Sequence, residues 1–160
     1  MVDIHHASFA DLTGHEVYSI CKLRVDVFVV EQNCAYPELD GADEHPGTVH
    51  FWHSIDGTVV STLRLLRSGG ETRIGRVCTA ASARGRGLSA QLMNAALAQA
   101  DGETVVIGAQ SQLEKWYGGF GFVRSGPDYV EDAIAHLPMT RTASPRRDPH
   151  GSSNDGVLGQ

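Results

Sequence analysis

Apolar residues first recur at helical spacing. Ile20, Leu23, Val27 and Phe28 repeat every three to four positions, which predicts an amphipathic helix. Thr13-Gly-His-Glu16 stands just upstream. That S/T-x-x-E spacing lets the threonine hydroxyl and the glutamate carboxylate satisfy free amides of the first turn reciprocally. The period then shortens. Val49 to Ile55 and Thr58 to Leu66 read as strands around Asp56-Gly57, a strong two-residue hairpin signal. A Ser68-Gly-Gly70 turn leads to a third strand, Thr72 to Thr79. Leu88, Leu92, Ala95, Ala96 and Gln99 return to helical spacing, and Asp101-Gly102 closes that helix. Thr104 to Ala109 reads as a buried strand. Ser111-Gln-Leu-Glu114 reads as a second capping box opening a short helix. Strands are predicted over Phe122 to Ser125 and Ile134 to Thr140, and a short one before Phe9. The order β-α-loop-β-β-β-α-β-α-β-β is that of an α/β (α+β) domain, a mixed sheet with helices on both faces.

Composition narrows the choices. The chain has 160 residues, 41% apolar and 20% charged, as expected of one globular domain. The last residues, Thr142 to Gln160, carry two Pro, three Gly, three Ser and no aromatic residue. They cannot bury enough apolar surface to offset ordering, so residues 1–141 are read as the domain and 142–160 as a flexible tail. The formal charge of −6 argues against general nucleic-acid binding. No apolar run reaches the length of a membrane span, and the N-terminal residues lack a basic segment followed by an apolar one. Three cysteines without a CxxC imply neither a disulfide framework nor a zinc knuckle. A reducing cytoplasm is the expected location.

The charges are unevenly spread. Glu31 to His45 holds five acids and no Lys or Arg, whereas Thr72 to Ala100 holds four arginines (73, 76, 84, 86) and no acid. The acidic run reads either as the wall of a cleft that attracts a cation or as a solvated loop. It has neither the calcium-loop pattern nor paired His/Cys spacing, so no metal is expected. In the basic stretch, Arg84-Gly-Arg86-Gly87-Leu-Ser89 lies between a strand and a helix. Glycines allow close backbone approach, and the free amides of a first helical turn favour an anion. A polyphosphate fits there; a plain strand–helix turn with solvated arginines fits as well.

Arg84-x-x-Gly87-x-Ser89 resembles the Q/R-x-x-G-x-G/A signature of the GNAT N-acetyltransferases, with Ser89 in place of Gly or Ala. Trp116-Tyr117-Gly-Gly-Phe-Gly121-Phe122 resembles the family's Y-x-x-x-G-F segment. Leu23-Arg24 to Gln32, Tyr36 to Asp43, Ile74 to Val77, Gly108-Ala109-Gln110 and Glu131-Asp132 to Met139 look like the ElaA-like branch. The resemblance implies a GNAT fold, with a largely antiparallel sheet splayed between the strands Thr72–Thr79 and Thr104–Ala109. It implies acetyl-CoA as co-substrate, with its pyrophosphate on Arg84, Gly85, Arg86, Gly87, Leu88 and Ser89. The pantetheine is implied along Val77, Cys78 and Thr79, with the Val77 N–H as an oxyanion donor. Tyr117 is the implied general acid. A packing role beside Trp116 stands as its alternative. Cys78 is read as a pantetheine contact rather than a nucleophile. Glu31, Asp43, His50 and His136 are candidate bases, Glu31 and His136 foremost. The implied activity is acetyl transfer to a primary amine of a small or peptidic acceptor by direct attack in a ternary complex. A non-catalytic acyl-CoA sensor and a mononucleotide-binding domain are the alternatives. A second copy of the chain is a further candidate partner.

Overall fold

Alternating residues build the sheet, and helices bury its two faces. In the computed structural model, which describes residues 3–143, the strands are β1 (Ile4–Ser8), β2 (Thr48–Ile55), β3 (Thr58–Ser68), β4 (Glu71–Thr79), β5 (Val105–Gln110), β6 (Val123–Arg124), β7 (Tyr129–Glu131) and β8 (Ile134–Arg141). The helices are α1 (Gly14–Arg24), α2 (Leu88–Gln99) and α3 (Glu114–Gly118). The strand order is β1-β2-β3-β4-β5-β8-β6, with β7 also on β8. β4–β5 is parallel and every other pairing is antiparallel. Apart from Thr142 and Ala143, the expected tail lies outside the described residues. Among the described residues no helix is long and apolar enough to cross a membrane.

The first capping box forms as its spacing predicts: Glu16 N–H donates to Thr13 Oγ1 (3.1 Å) and Thr13 N–H to Glu16 Oε2 (2.8 Å). The helix runs on past Arg24 as a π-helical segment, Val25–Glu31. Ile20, Leu23 and Val27 pack with Trp52, Val59 and Cys78 on one face of the sheet. On the other face Leu92, Met93 and Ala96 of α2 cover Phe51, Leu63, Leu65, Ile74, Val105 and Ile107. Asp56-Gly57 makes the expected turn, both residues at positive φ (50° and 76°). The second capping box does not form. Gln110, extended at φ −60° and ψ 136°, takes the cap position, and a 3₁₀ turn over Ser111–Leu113 precedes α3. The Ser111 hydroxyl is buried without a partner. Strand β7 was not predicted; its three residues are too few to show a period.

Within the acidic run Glu44 is exposed, while Glu38, Asp40 and Asp43 are bound by arginines. Arg24, on the buried face of α1 and 1% exposed, donates to Glu38 Oε1 (2.6 Å) and Asp43 Oδ1 (2.6 Å). Arg64 of β3 donates to Asp40 Oδ2 (2.6 Å) and Asp43 Oδ1 (3.1 Å). Arg76 of β4 donates to Asp40 Oδ2 (3.3 Å). Three carboxylates and three guanidiniums thus neutralise one another beneath the loop. Burial raises the Asp43 pKa, but its bonds to Arg24 and the charges of both arginines outweigh that and leave it lowered.

A lowered carboxylate pKa stabilises the fold above the unfolded value near 4, and that stability is lost as pH falls through the folded value. Asp43→Asn leaves Arg24 short of a charge, and breaking such a buried pair costs about 3 kcal/mol. Urea unfolding at pH 7 is expected to show that loss, and the gap to wild type is expected to narrow below about pH 4.

Candidate active site

β4 and β5 pair only at Thr72↔Val105 and Arg73↔Val106. Beyond those two pairs they diverge, and a cleft of about 1110 Å³ opens between them. β4 also carries a bulge. Arg64 faces Gly75 and Thr62 faces Cys78, so Arg76 and Val77 together oppose Leu63, and Arg76 sits at φ 53°. Past the bulge, Ala80 N–H donates to Val60 O (2.8 Å). By strand alternation Cys78 then faces β3, and the backbone groups of Val77 and Thr79 face the open edge. Consistent with this, Arg84 Nε donates to Thr79 O (3.0 Å) rather than a strand amide doing so.

The Arg-Gly loop lies at the C-terminal end of this edge. Gly85 (φ 76°) and Gly87 (φ 73°) take left-handed conformations that an L side chain resists. Gly87 begins α2 without a side-chain cap, so the amides of Leu88, Ser89 and Ala90 have no helical acceptor. Leu88 is buried with Val60 and Ala83. The Ser89 hydroxyl bonds Thr79 Oγ1 (2.6 Å), which in turn meets Ser61 Oγ (2.8 Å). The hydroxyl that distinguishes Ser89 from Gly or Ala is therefore tied to β4.

The expected electropositive zone is largely compensated by acids from elsewhere. Arg84 pairs with Glu31 (2.6 Å), Arg73 with Glu71 (2.9 Å) and Arg76 with Glu38 and Asp40. Arg86 is exposed and has no acidic partner among the described residues. The bond from Arg84 lowers the Glu31 pKa, with burial opposing and the Arg84 charge adding to it. Glu31 is thereby a weaker base than a free carboxylate.

Family membership follows from the chain as a whole. The family model for an acetyltransferase (GNAT) domain matches residues 19–143. The chain belongs to the GNAT acetyltransferase family. Within it, this GNAT chain is 49% identical over 139 residues to a UPF0039 protein of Mycobacterium tuberculosis, covering 84% of this chain and 89% of that one. It is 34% identical over 146 residues to protein ElaA of Escherichia coli, covering 87% and 94%. The crystal structure of that ElaA superposes with a TM-score of 0.83 at 32% identity, covering 88% of this chain and 99% of the other. An acyl-CoA N-acyltransferase from Pseudomonas aeruginosa gives 0.85 at 41% identity, covering 89% and 100%. The chain is thus an ElaA-like member of a family of acyltransferases.

The GNAT cleft gathers most of the sequence-predicted residues. Val77, Cys78, Thr79, Arg84, Gly85, Gly87, Leu88, Ser89, Tyr117, Glu31 and His136 all line it. Arg86, Asp43 and His50 do not. Asp43 is held by the arginines, and His50 is buried, with Nε2 on Asp43 O (3.1 Å). Burial lowers the His50 pKa, and the Asp43 contact opposes it. Tyr117 is 7% exposed and stands edge-on between Trp116 (4.8 Å) and Phe122 (6.2 Å). Burial, with Cys78 nearby, pushes its pKa up to about 12. His136 Nδ1 lies 2.8 Å from Ile134 O. A carbonyl only accepts, so Nδ1 carries the proton and the neutral ring keeps its lone pair on Nε2. The ring stacks on Tyr129 (5.6 Å, 19°). Tyr129 in turn lies against Gly108, where an added Cβ would stand 2.5 Å from its hydroxyl oxygen.

Two cleft features escaped sequence reasoning. Residues 31–34 strap across the opening: Gln110 Nε2 donates to Gln32 Oε1 (3.3 Å) and Cys34 Sγ to Asp132 O (3.2 Å). Asn33 at φ 50° turns the strap, and an Asn, a residue type that tolerates positive φ, is its only local signal. The Arg76 bulge has no signal at all, since arginine rarely adopts positive φ.

Burial pushes the Cys78 thiol up to about 12, so it is not a thiolate at neutral pH. Alkylation of native protein at pH 8, read by peptide mass spectrometry, is expected to modify Cys78 at least about a hundredfold more slowly than in urea.

Proposed function

We propose that the chain transfers an acetyl group from acetyl-CoA to a primary amine of a small or peptidic acceptor, by direct attack in a ternary complex. The observation that carries this reading is the open edge of β4, running from the uncapped start of α2 to a cleft holding Tyr117 and His136. In this reading the amides of Leu88 and Ser89, with Gly85, Arg86 and Gly87, receive the pyrophosphate. Arg84 exchanges Glu31 for phosphate. Pantetheine pairs with the backbone groups of Val77 and the N–H of Thr79 beside Cys78, the Thr79 carbonyl being taken by Arg84 Nε. The Val77 N–H donates to the thioester oxygen as negative charge develops there.

The amine nitrogen forms a bond to the carbonyl carbon, the C–S bond breaks, and CoA departs as its thiol. The proton lost by the ammonium goes to His136 Nε2, directly or through water. Glu31 is the second candidate base, paired with Arg84 in the free protein and released from it once Arg84 turns to phosphate. Tyr117 stays protonated throughout the neutral range. With a pKa near 12 it is a weaker acid than a thiol of about 8.5. Its role is therefore a hydrogen bond to the departing sulfur, with the proton passing over only as the C–S bond breaks and the tyrosinate regaining one from the second N–H proton that the attacking nitrogen sheds.

Incubation with acetyl-CoA and a panel of amines, following thiol release and acetylated product by mass spectrometry, is expected to show amine-dependent release. A sensor module would bind CoA and release none, and a mononucleotide-binding domain would be stabilised by ATP and not by CoA. Tyr117→Phe is expected to lower kcat by about a hundredfold, with the Kd for CoA within about twofold of wild type. Turnover equal to wild type would remove Tyr117 from the chemistry.

A further inference from the structure

Arg76 occupies a backbone conformation that its residue type disfavours. Left-handed φ is tolerated by Asn and Asp, which accounts for Asn33, Asp56 and Asp132. Arg76 lies inside a strand, at φ 53°, where no such tolerance applies. Its side chain is pinned on three sides. Nη2 donates to Glu38 O (3.2 Å) and Asp40 Oδ2 (3.3 Å), Nε stands 3.1 Å from Glu38 Oε2, and the guanidinium lies 5.6 Å over the Tyr36 ring. The anchors are themselves fixed. Glu38 is held by Arg24 and by the Tyr36 hydroxyl, and Asp40 by two bonds from Arg64.

The bulge decides which amides reach the cleft. With it, Thr62 faces Cys78 and the backbone groups of Val77 and Thr79 point to the open edge. Without it, the register set by Arg64↔Gly75 would continue as Leu63↔Arg76 and Thr62↔Val77. Every residue beyond would then change sides. Val77 and Thr79 would turn their N–H groups into the ladder with β3, and Cys78 would face the cleft.

We infer that Arg76 is a positioning residue: the Tyr36–Glu38–Asp40 clamp holds its backbone left-handed and so turns the Val77 and Thr79 amides toward the acyl donor. This rests on the acyl-transfer reading above. Arg76 contacts neither the donor nor the acceptor in this role. It acts through the peptide that follows it.

The test compares two variants that both lack the guanidinium. Arg76→Ala loses the clamp and keeps a Cβ that resists positive φ. Arg76→Gly loses the clamp and also the resistance. The expected kcat/KM for acetyl-CoA falls about tenfold or more in Arg76→Ala, the scale of one unfavourable left-handed residue, and Arg76→Gly recovers at least about half of that loss on a logarithmic scale. Melting curves of both establish that they are folded. If the alanine variant does not fold, Arg76→Gln replaces it in the comparison with glycine. Equal losses in both variants mean the side chain acts on substrate or stability directly, and overturn the inference; so does an alanine variant as active as wild type. A wild-type protein that neither binds CoA nor releases thiol with any amine would instead overturn the acyl-transfer reading, and this inference with it.

Discussion

Strands β4 and β5 pair at Thr72–Val105 and Arg73–Val106 and then part, and that divergence creates everything else the site contains. A continuous parallel ladder would bond the backbone groups of both strands and leave no room between them. Divergence leaves the groups of Val77 and Thr79 unpaired by any strand, next to the free amides that open α2. Unpaired backbone groups are costly when they lack both water and a partner. An edge kept open in the middle of an eight-stranded sheet is therefore suited to a ligand that supplies a strand's worth of polar atoms. The bulge at Arg76 gives that edge its phase.

The buried ion network supports this geometry at a distance. Desolvating charges is expensive, and a buried pair is weak grounds for stability alone. Here it joins α1 through Arg24, β3 through Arg64 and β4 through Arg76 to a single acidic loop. An apolar cluster could hold those elements together, but it would not fix the dihedral of one residue. The net charge of −6 thus conceals a set of opposed charges that mostly cancel at short range. That is why neither the acidic run nor the arginine-rich stretch behaves as an isolated patch.

Much of the fold was legible in the sequence, because α1, α2 and the β2–β3 hairpin carry long periodic patterns and well-formed turn signals. The turn between β4 and α2 was legible because glycines at left-handed positions, Gly85 and Gly87, mark it. The ElaA-like blocks were recognisable by resemblance, and the family comparisons agree on the family. The rest was hidden for identifiable reasons. Arg24 reads as a surface residue, since buried arginines are rare, although three acids at 38, 40 and 43 facing three arginines is a signal of a kind. The fate of Glu31 depended on Arg84, distant in sequence at 53 residues. Ser111 matched a cap by spacing, but Gln110 holds the extended conformation a cap requires.

The most direct measurement is hydrogen exchange of the β4 amides, resolved by residue, with and without CoA. The account predicts that in the free protein Val77 and Thr79 exchange much faster than Cys78, which is bonded to β3. Saturating CoA is predicted to slow both by about tenfold or more while Cys78 barely changes. Val77 and Thr79 already as protected as Cys78 in the free protein, or unaltered by saturating CoA, would contradict it.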